Sequence, residues 1–454
     1  MTTQNHSSFR KWGLRFALLV GALGPWAGCE PQAPTCAQSS CLTLSLHAPL
    51  GQSLTAADVI VRDGDTLEKK SFWGAELSAP LVLSAPVGRV DSTRRAIYVR
   101  AISEDGGGRH SLTGQFEGTA ASSSVDVALT THCASCRPSA RHGAAMTYEP
   151  LTRTVLVHGG MGTAGVPLDD LWAWNGLYWN QLATGPGPVA RSGHVMAHDP
   201  QTGMVLLAFG QGPNETLDDT WLLDPKTLRW QKVAGVGPDA RRHAALSPST
   251  GGANRGLLLF GGQTASGQLL GDTWLWDGAA WQAGPSSLCD SRPLVPGTLP
   301  RCRMGATLVP SAAGSRTLLY GGLVAASADN LATYDDSVWQ FVDGNWSVAT
   351  SGMPAFVLGR SSHAAALLFH RGQPSEVWLG LGDSPVGLRQ DSYLVQDSKP
   401  PQPIIGDAPS PRREAATAFD AEREELVIFG GEGAGGALGD TLTFSAETGF
   451  VRRD

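Results

Sequence analysis

The stretch that decides the fold is Val155-Leu156-Val157-His158-Gly159-Gly160, followed ten residues after its last glycine by Asp170-Leu171-Trp172. Apolar runs rich in β-branched residues indicate strands, and a glycine pair at the end of a run permits a sharp change of backbone direction. The Asp precedes a second strand-like stretch, and Trp179 begins another. One such unit is weak evidence for any particular fold.

The same unit recurs six times between residues 141 and 454. Each copy opens with an arginine, at intervals of 50, 50, 60, 59 and 52 residues. These residues are Arg141, Arg191, Arg241, Arg301, Arg360 and Arg412. The glycines are Gly159, Gly160, Gly210, Gly261, Gly262, Gly321, Gly322, Gly430 and Gly431, with departures at Gln211 and Leu381. The aspartates are Asp170, Asp219, Asp272, Asp336, Asp391 and Asp440, and the aromatic partners include Trp172, Trp221, Trp274 and Trp339.

The 314 residues from 141 to 454 give a period of about 52, and each unit holds four strand-length apolar stretches. A four-stranded repeat of about this length is typical of a β-propeller blade. One such sheet cannot bury both of its faces, whereas neighbours in a ring cover it on either side. The sequence therefore predicts an all-β protein with a six-bladed propeller at residues 141–454.

The order of Arg, Gly-Gly, Asp-x-Trp and Trp resembles the kelch repeat, and the resemblance covers all six units. It implies a protein-interaction platform, although a minority of kelch propellers sit in enzymes such as galactose oxidase. Copper chemistry of that kind uses a Tyr–Cys crosslink. Only Cys289 and Cys302 lie within the predicted propeller. They flank one loop, and we expect them to bond to each other, which leaves no thiol for the crosslink.

Composition narrows the function classes. Gly 56 and Pro 29 indicate many turns, while a charged fraction of 17% argues against disorder driven by charge repulsion and against a long coiled coil. The net charge is −7, and no Lys/Arg run exceeds two residues. A nucleic-acid partner would require a basic stripe, so we predict none.

The N-terminus predicts export. Basic residues precede the apolar run Phe16 to Leu23, which is too short to span a membrane and suits a signal peptide over residues 1–28. Ala27-Gly28-Cys29 resembles the end of a bacterial lipobox, although Trp26 stands where a Leu is usual. The resemblance implies lipidation of Cys29 and an outer-membrane or surface location. Plain secretion and an uncleaved anchor remain alternatives.

Residues 29–36 read as a tether, and residues 37–136 alternate apolar and polar residues as in a small β-sandwich of immunoglobulin or fibronectin type. If Cys29 carries lipid, six cysteines remain for three disulfides. These candidates are Cys36, Cys41, Cys133, Cys136, Cys289 and Cys302. The alternatives are a Zn²⁺ site formed by the first four and a redox dithiol at Cys133 and Cys136, but an exported protein favours disulfides.

We interpret the repeated residues as structural. The six aspartates could form a Ca²⁺ ring, but their recurrence at one position favours hydrogen bonds within each turn. His142, His194, His243 and His363 each follow an opening arginine, so they too are expected to be repeat features, and no metal site or cofactor is predicted. Binding would use the variable connections. These are Met161–Leu168, Gln263–Leu270, Gly284–Pro300, Leu323–Asp335 and Gly382–Gln390, with a weakened strand edge at Lys399–Pro403.

The sequence thus predicts a non-catalytic, lipid-anchored binding or scaffold module of the cell envelope, whose propeller loops bind a protein or a glycan. The rival hypothesis is a secreted carbohydrate-active or galactose-oxidase-like enzyme. A sialidase-type Asp box is not matched, because Gly271-Asp272-Thr273-Trp274 lacks the required intervening glycine.

Overall fold

The computed structural model describes residues 42–47, 53–63, 66–73, 77, 81–83, 94–105, 108–119, 124–128, 130–131 and 137–453. The last range has gaps at 177, 250–255, 288, 290–298, 326–331, 350–358, 371 and 397–398. These residues form β-strands and contain no α-helix. Within them, no helix is long and apolar enough to span a bilayer. The predicted signal peptide (1–28), the tether (29–36) and Cys29, Cys36, Cys41, Cys133 and Cys136 lie outside the described residues.

Among the described residues, eight strands precede residue 137. They are β1 (Leu42–His47), β2 (Ser53–Asp63), β3 (Thr66–Trp73), β4 (Leu81–Leu83), β5 (Arg94–Asp105), β6 (Gly108–Thr119), β7 (Ser124–Ala128) and β8 (Thr130–Thr131). One sheet has the order β4-β1-β7, and the other has the order β3-β2-β5-β6-β8. Leu44 and Leu81 from the first sheet share a hydrophobic cluster with Val59 and Ile97 from the second. The buried side chains of the two sheets therefore face a common core.

The repeats form successive antiparallel sheets. Sheet 1 holds β9 (Arg141–His142), β10 (Ala145–Glu149), β11 (Thr154–Gly162), β12 (Pro167–Trp174) and β13 (Trp179–Leu182). Sheet 2 holds β14 (Val195–His198), β15 (Val205–Ala208), β16 (Thr220–Asp224) and β17 (Arg229–Lys232). Sheet 3 holds β18 (Ala245–Ser249), β19 (Gly256–Gln263), β20 (Leu269–Trp276) and β21 (Trp281–Ser286).

The fourth repeat contains β22 (Arg303–Met304), β23 (Thr307–Pro310), β24 (Thr317–Tyr320), β25 (Leu323–Ala325), β26 (Ala332–Tyr334), β27 (Val338–Val342) and β28 (Asn345–Val348). Of these, β23, β24, β27 and β28 form sheet 4, and the other three form a small sheet beside it.

The fifth repeat contains β29 (Ala364–His370), β30 (Gln373–Gly380), β31 (Asp383–Ser384), β32 (Gly387–Leu388), β33 (Ser392–Val395) and β34 (Gln402–Pro403). Sheet 5 is β29-β30-β33-β34, and β31 and β32 form a hairpin. β34 pairs with β33 over two residues, within the proline-rich stretch where the sequence predicts a weak edge.

The sixth repeat contains β35 (Ala416–Asp420), β36 (Glu425–Phe429), β37 (Glu432–Gly433), β38 (Gly436–Ala437), β39 (Thr441–Ser445) and β40 (Gly449–Arg452). Sheet 6 is β35-β36-β39-β40, and β37 pairs with β38. Each of the six sheets is thus built from one continuous stretch of chain.

The second strand of each sheet is buried on both faces. Adjacent side chains of a strand point to opposite faces, so Leu156 packs toward Val205 of sheet 2 while Val157 packs toward Val427 of sheet 6. Corresponding clusters join sheets 2 and 3, 3 and 4, 4 and 5, and 5 and 6. The hydrophobic contacts therefore run around a closed circle, which is the arrangement of a β-propeller-like fold.

A cycle of backbone hydrogen bonds closes the same circle. Six residues, one from each repeat, donate their N–H to the carbonyl of the residue in the preceding repeat, with N···O distances of 2.8–3.0 Å. We call these six residues the mouth ring: Gly143, Gly193, His243, Gly305, Ser362 and Glu414. The first and last repeats are joined by the bond from the N–H of Gly143 to the carbonyl of Glu414.

Tryptophans of the fourth strands tie neighbouring sheets together. The indole Nε1–H of Trp281 donates to Oγ1 of Thr220 in the preceding sheet at 3.0 Å, and Trp346 does the same to Thr273 at 2.8 Å. Trp179 reaches Thr441 of sheet 6 at 2.9 Å, across the junction between the ends of the repeat region. These buried bonds fix the angle between sheets in addition to the apolar packing.

Candidate functional site at the mouth ring

The opening arginines are buried structural groups. Arg191 is fully buried, and its Nη1 and Nη2 donate to the two carboxylate oxygens of Asp219 at 2.6 and 3.0 Å. Nη1 also donates to the carbonyl of Phe209 at 2.9 Å. The same two-pronged contact joins the pairs Arg141–Asp170, Arg241–Asp272 and Arg412–Asp440. In the fifth repeat, Nη2 of Arg360 donates to the carboxylate of Asp391 at 3.1 Å and Nη1 donates to the carbonyl of Asp391 at 3.5 Å. These side chains hold each turn to its sheet.

The fourth repeat requires a correction. The sequence register predicts Arg301 and Asp336, whereas the structure pairs Arg303 with Asp335 at 3.3 Å and leaves Arg301 and Asp336 exposed. Nη1 of Arg303 donates to the carbonyl of Gly321 at 2.8 Å, as the other arginines do to the first residue of their glycine pairs. The error arises because two arginines stand one residue apart and only the packing selects between them.

The aspartates also accept hydrogen bonds from the aromatic partners. Trp172 donates to Asp170 at 2.6 Å, and Trp221 and Trp274 do the same to their own aspartates at 2.7 Å. Burial acts to raise the pKa of Asp170, but the hydrogen bond and charge of Arg141 outweigh it, so the pKa lies below its usual value. In the fourth repeat Trp339 instead donates to Ser337, which itself bonds to Asp335.

The glycine pairs adopt positive φ, and one of them is displaced from the sequence register. In the second repeat the pair is Phe209-Gly210, with φ of 65° and 98°, so the departure lies at Phe209 and not at Gln211. In the fifth repeat Leu381 occupies the first position with φ of 63°. Phe209 is buried against Trp281, and this apolar contact offsets part of the cost of the left-handed backbone.

The mouth ring is the feature that sequence reasoning missed. All six of its residues have φ between 50° and 63°, a conformation that favours glycine. Three positions nevertheless carry His243, Ser362 and Glu414. Each lies two residues after its opening arginine, so the signal was present, but the wrong arginine in the fourth repeat hid the alignment. Non-glycine residues in this conformation concentrate at functional sites.

An open cavity of about 130 Å³ lies at the mouth ring. The ring residues form its walls together with Ala144, His194, Ala244, Ala306, His363 and Ala415. Small alanines follow four of the ring positions and leave room for the polar side chains. The cavity is therefore built from all six repeats.

The carboxylate of Glu414, which lines this cavity, lies close to two histidine rings. Oε2 of Glu414 lies 2.6 Å from Nδ1 of His142, and Oε1 lies 4.0 Å from Nδ1 of His243. Burial acts to raise the pKa of Glu414, but the hydrogen bond from His142 and the nearby charges of His243, His142 and Arg413 lower it to about 2. The hydrogen bond to Glu414 raises the pKa of His142, whereas burial lowers the pKa of His243.

The other two histidines of this wall are deeply buried. Burial, with the charge of Arg360, lowers the pKa of His363 to about 3. Burial also holds the pKa of His194 well below its usual value, and Nε2 of His194 lies 3.3 Å from Nδ1 of His158. Three of the four histidines expected as repeat features, His194, His243 and His363, thus line one cavity, and the fourth, His142, contacts Glu414 of its wall.

A second cavity, of about 310 Å³, adjoins the first through consecutive residues. Arg413 lines it, whereas Glu414 lines the mouth ring cavity. The hydroxyl of Tyr334 donates to Asp383 at 2.9 Å, and Arg413 pairs with Glu432 at 2.7 Å. Burial raises the pKa of Asp383, and burial together with Asp383 raises the pKa of Tyr334 to about 12. Two predicted binding connections, Leu323–Asp335 and Gly382–Gln390, therefore meet here.

The remaining predicted sites are placed as follows. Cys289 and Cys302 form a disulfide with a Cα–Cα distance of 5.6 Å, which confirms the predicted bond. Most of the connection between them lies outside the described residues. Among the residues that are described, no three His, Cys, Asp or Glu side chains are arranged to hold a metal ion. The repeat aspartates do not converge: apart from Asp336, whose place Asp335 takes, each contacts the arginine of its own repeat.

Comparisons with known proteins agree with the repeat pattern. No family model matches the chain. The chain is 30% identical over 258 residues to Adagio-like protein 3 of Oryza sativa subsp. japonica, which covers 53% of this chain and 37% of that protein. It is 28% identical over 155 residues to an F-box/kelch-repeat protein of Arabidopsis thaliana, which covers 31% of each. The chain thus spans about a third of the length of these relatives.

Among solved structures, that of YjhT matches 70% of this chain and 98% of its own, at 16% sequence identity and a TM-score of 0.49. The match to the F-box/kelch-repeat protein supports the kelch interpretation of the repeats. The protein is thus an all-β chain with kelch-like repeats on a propeller-like fold.

Proposed function

We propose that this protein is a non-catalytic binding module of the cell envelope. In this proposal a small β-sandwich precedes a six-bladed kelch-like propeller, and lipid on Cys29 anchors the chain to an outer membrane or cell surface. The partner is a protein, which is bound by the face that carries the mouth ring. Kelch similarity supports a protein-interaction role.

One observation carries the binding proposal. The two adjoining cavities gather Glu414, Asp383 and Arg413 from turns that are not part of the hydrophobic core. The Arg–Asp pairs already hold each turn to its sheet, so these additional charged groups are not needed for that purpose. Charged and polar groups on loops over a rigid scaffold are the usual means of recognition. The disulfide between Cys289 and Cys302 further supports a role other than that of a galactose-oxidase-like enzyme. It uses both cysteines of the repeat region, so neither is free to form the Tyr–Cys crosslink.

Cross-linking and affinity capture from intact cell envelopes test the binding proposal. We expect the wild-type chain to capture a defined protein, and the double variant Asp383→Asn/Arg413→Gln to lose it. Glu447→Gln serves as the matched control, since Glu447 is exposed in a turn of sheet 6 away from both cavities. Capture of a glycan alone, or equal capture by all three chains, would contradict the proposal.

The anchor has a separate test. We expect Cys29→Ala to move the protein from the membrane fraction to the soluble fraction, and the intact mass of the wild type to exceed its peptide mass by the attached lipid. A variant that stays membrane-bound would show that Cys29 is not the anchor.

A further inference from the structure

The mouth ring cavity contains more hydrogen-bond acceptors than the fold requires. Among the described residues that line it, Glu414 is the one carboxylate. Oε2 of Glu414 is bonded to His142, whereas Oε1 lies 4.0 Å from His243, beyond hydrogen-bonding distance. One carboxylate oxygen therefore faces the cavity without a strong protein donor.

The histidines of the wall add neutral acceptors. His363 is 8% exposed, and within the described part of the chain neither of its ring nitrogens has a hydrogen-bond partner. Burial lowers the pKa of His243, His194 and His363, so these three rings carry no charge near neutral pH. Buried polar atoms without partners are uncommon and call for an explanation such as a ligand.

When His142 is neutral, no net positive charge around the cavity balances the negative charge of the Glu414 carboxylate. Arg413 is paired with Glu432, and it also lies 3.9 Å from Asp383. Arg242 donates to Gln263 on the opposite side. These rim charges sum to zero with Asp383 and Glu432, so the charge of the cavity is set by Glu414 and His142.

We propose that the mouth ring cavity binds a compact cationic group with N–H donors, the primary ammonium of a lysine side chain on the partner. Within the described residues, no three His, Cys, Asp or Glu side chains are grouped so that they could hold a metal ion. An ammonium, by contrast, can donate to acceptors that are spread around it. A cavity of about 130 Å³ suits a group of this size. This inference rests on the proposed binding function, for which it names the contacting group.

Protonation of His142 and binding of the cation oppose each other. The groups that face His142 are Glu414, Glu432, Arg413 and His243. A proton on His142 neutralises Glu414 in place of the ligand, so the cation binds more tightly when His142 is neutral. By linkage, bound cation lowers the pKa of His142 by an amount that matches the change in affinity.

The test is titration of the purified full-length protein with methylammonium chloride, followed through the histidine ring resonances by NMR. We expect saturable shifts at His142 and His243, tighter binding at about pH 8.5 than at about pH 5.5, and a loss of about tenfold or more in affinity for Glu414→Gln. Glu447→Gln is the matched control and keeps the wild-type affinity. Tetramethylammonium, which has no N–H donor, binds much more weakly.

Saturable binding of acetate that is lost in His142→Gln would overturn the proposal, because it would show an anion site. Equal binding of methylammonium and tetramethylammonium by the wild-type protein would also overturn it, and this comparison does not depend on any variant folding. If a partner is captured from envelopes but methylammonium does not bind, the binding function stands and the cation pocket is wrong.

Discussion

The Arg–Asp pair of each repeat shows how a buried charge can be tolerated in this protein. Arg241 is fully buried, yet Asp272 accepts bonds from both of its terminal nitrogens at 2.7 Å. A third acceptor is the carbonyl of Gly261 at 3.0 Å. Taking a guanidinium out of water is costly unless its donors are satisfied, so removal of one partner is more damaging than the net strength of the pair suggests.

The fourth repeat offers a matched pair of neighbouring aspartates. We expect Asp335→Asn to lower the free energy of unfolding by about 3 kcal/mol, because it leaves the buried Arg303 without its carboxylate. Asp336→Asn makes the same chemical change at an exposed position and should alter stability by less than about 0.5 kcal/mol. Urea unfolding measures both. A larger loss of stability for Asp336→Asn than for Asp335→Asn would instead support Asp336 as the repeat aspartate, as the sequence register predicts.

At the scale of the element, the turns of the mouth ring are the most demanding part of each repeat. Each turn must place its N–H and its carbonyl in the cycle of hydrogen bonds, which requires a left-handed backbone. Glycine adopts it readily, and the three non-glycine residues adopt it at a cost. The residue type at each mouth ring position therefore matters for two reasons. It sets the cost of the backbone conformation, and it sets the side chain that is presented to the cavity.

Alanine substitutions at two glycines, one in the mouth ring and one at an exposed position, test the demand for a left-handed backbone. At Gly193, with φ of 61°, an added Cβ would lie 3.0 Å from the ring of His243, so we expect Gly193→Ala to cost about 1–2 kcal/mol. At the exposed Gly185 an added Cβ meets nothing within 4 Å, and Gly185→Ala should be neutral or slightly stabilising. Equal unfolding free energies for the two variants would contradict this account of the turn.

At the scale of the whole molecule, closure of the circle brings together residues from opposite ends of the repeat region. His142 and Glu414 are 272 residues apart and lie 2.6 Å from each other. Neutral histidines are enclosed by the same closure, and their burial makes stability depend on pH.

We expect acid to destabilise the protein through these histidines. Burial lowers the folded-state pKa of His158 and His363 from 6.5 to about 3, so the unfolded chain binds protons that the folded chain does not. Their contribution is fully present above pH 6.5 and is lost as the pH falls from 6.5 toward 3. Each group adds a slope of up to about 1.4 kcal/mol per pH unit within this window.

His363→Phe tests this expectation, because it removes one of the titrating groups at the cavity wall. The free energy of unfolding, measured in urea between about pH 6.5 and pH 4, should fall less steeply for the variant than for the wild type. His370→Phe, at an exposed position on β29, is the control and should keep the wild-type slope. An unchanged slope in His363→Phe would show that this histidine is already accessible to protons in the folded state.

The repeated architecture could be predicted because its signals are local. The apolar runs, the glycine pairs and the Asp-aromatic pairs each report on a few neighbouring residues, and their recurrence predicts sheets that need one another. Even so, the registers of Arg303 and Phe209 escaped prediction. The local pattern fits either Arg301 or Arg303 in the fourth repeat, and either Phe209-Gly210 or Gly210-Gln211 in the second. Only packing against the neighbouring sheet distinguishes the two alternatives at each place.

The sequence by itself determined that this protein is built from repeated β-sheets, since strand periodicity and turn residues act within a repeat. Only the tertiary structure decided the candidate site. Glu414, His142 and His243 come from three different repeats and meet because the ends of the repeat region join. That meeting depends on the long-range closure of the circle, and on the left-handed turns that present Glu414 and His243 to one cavity.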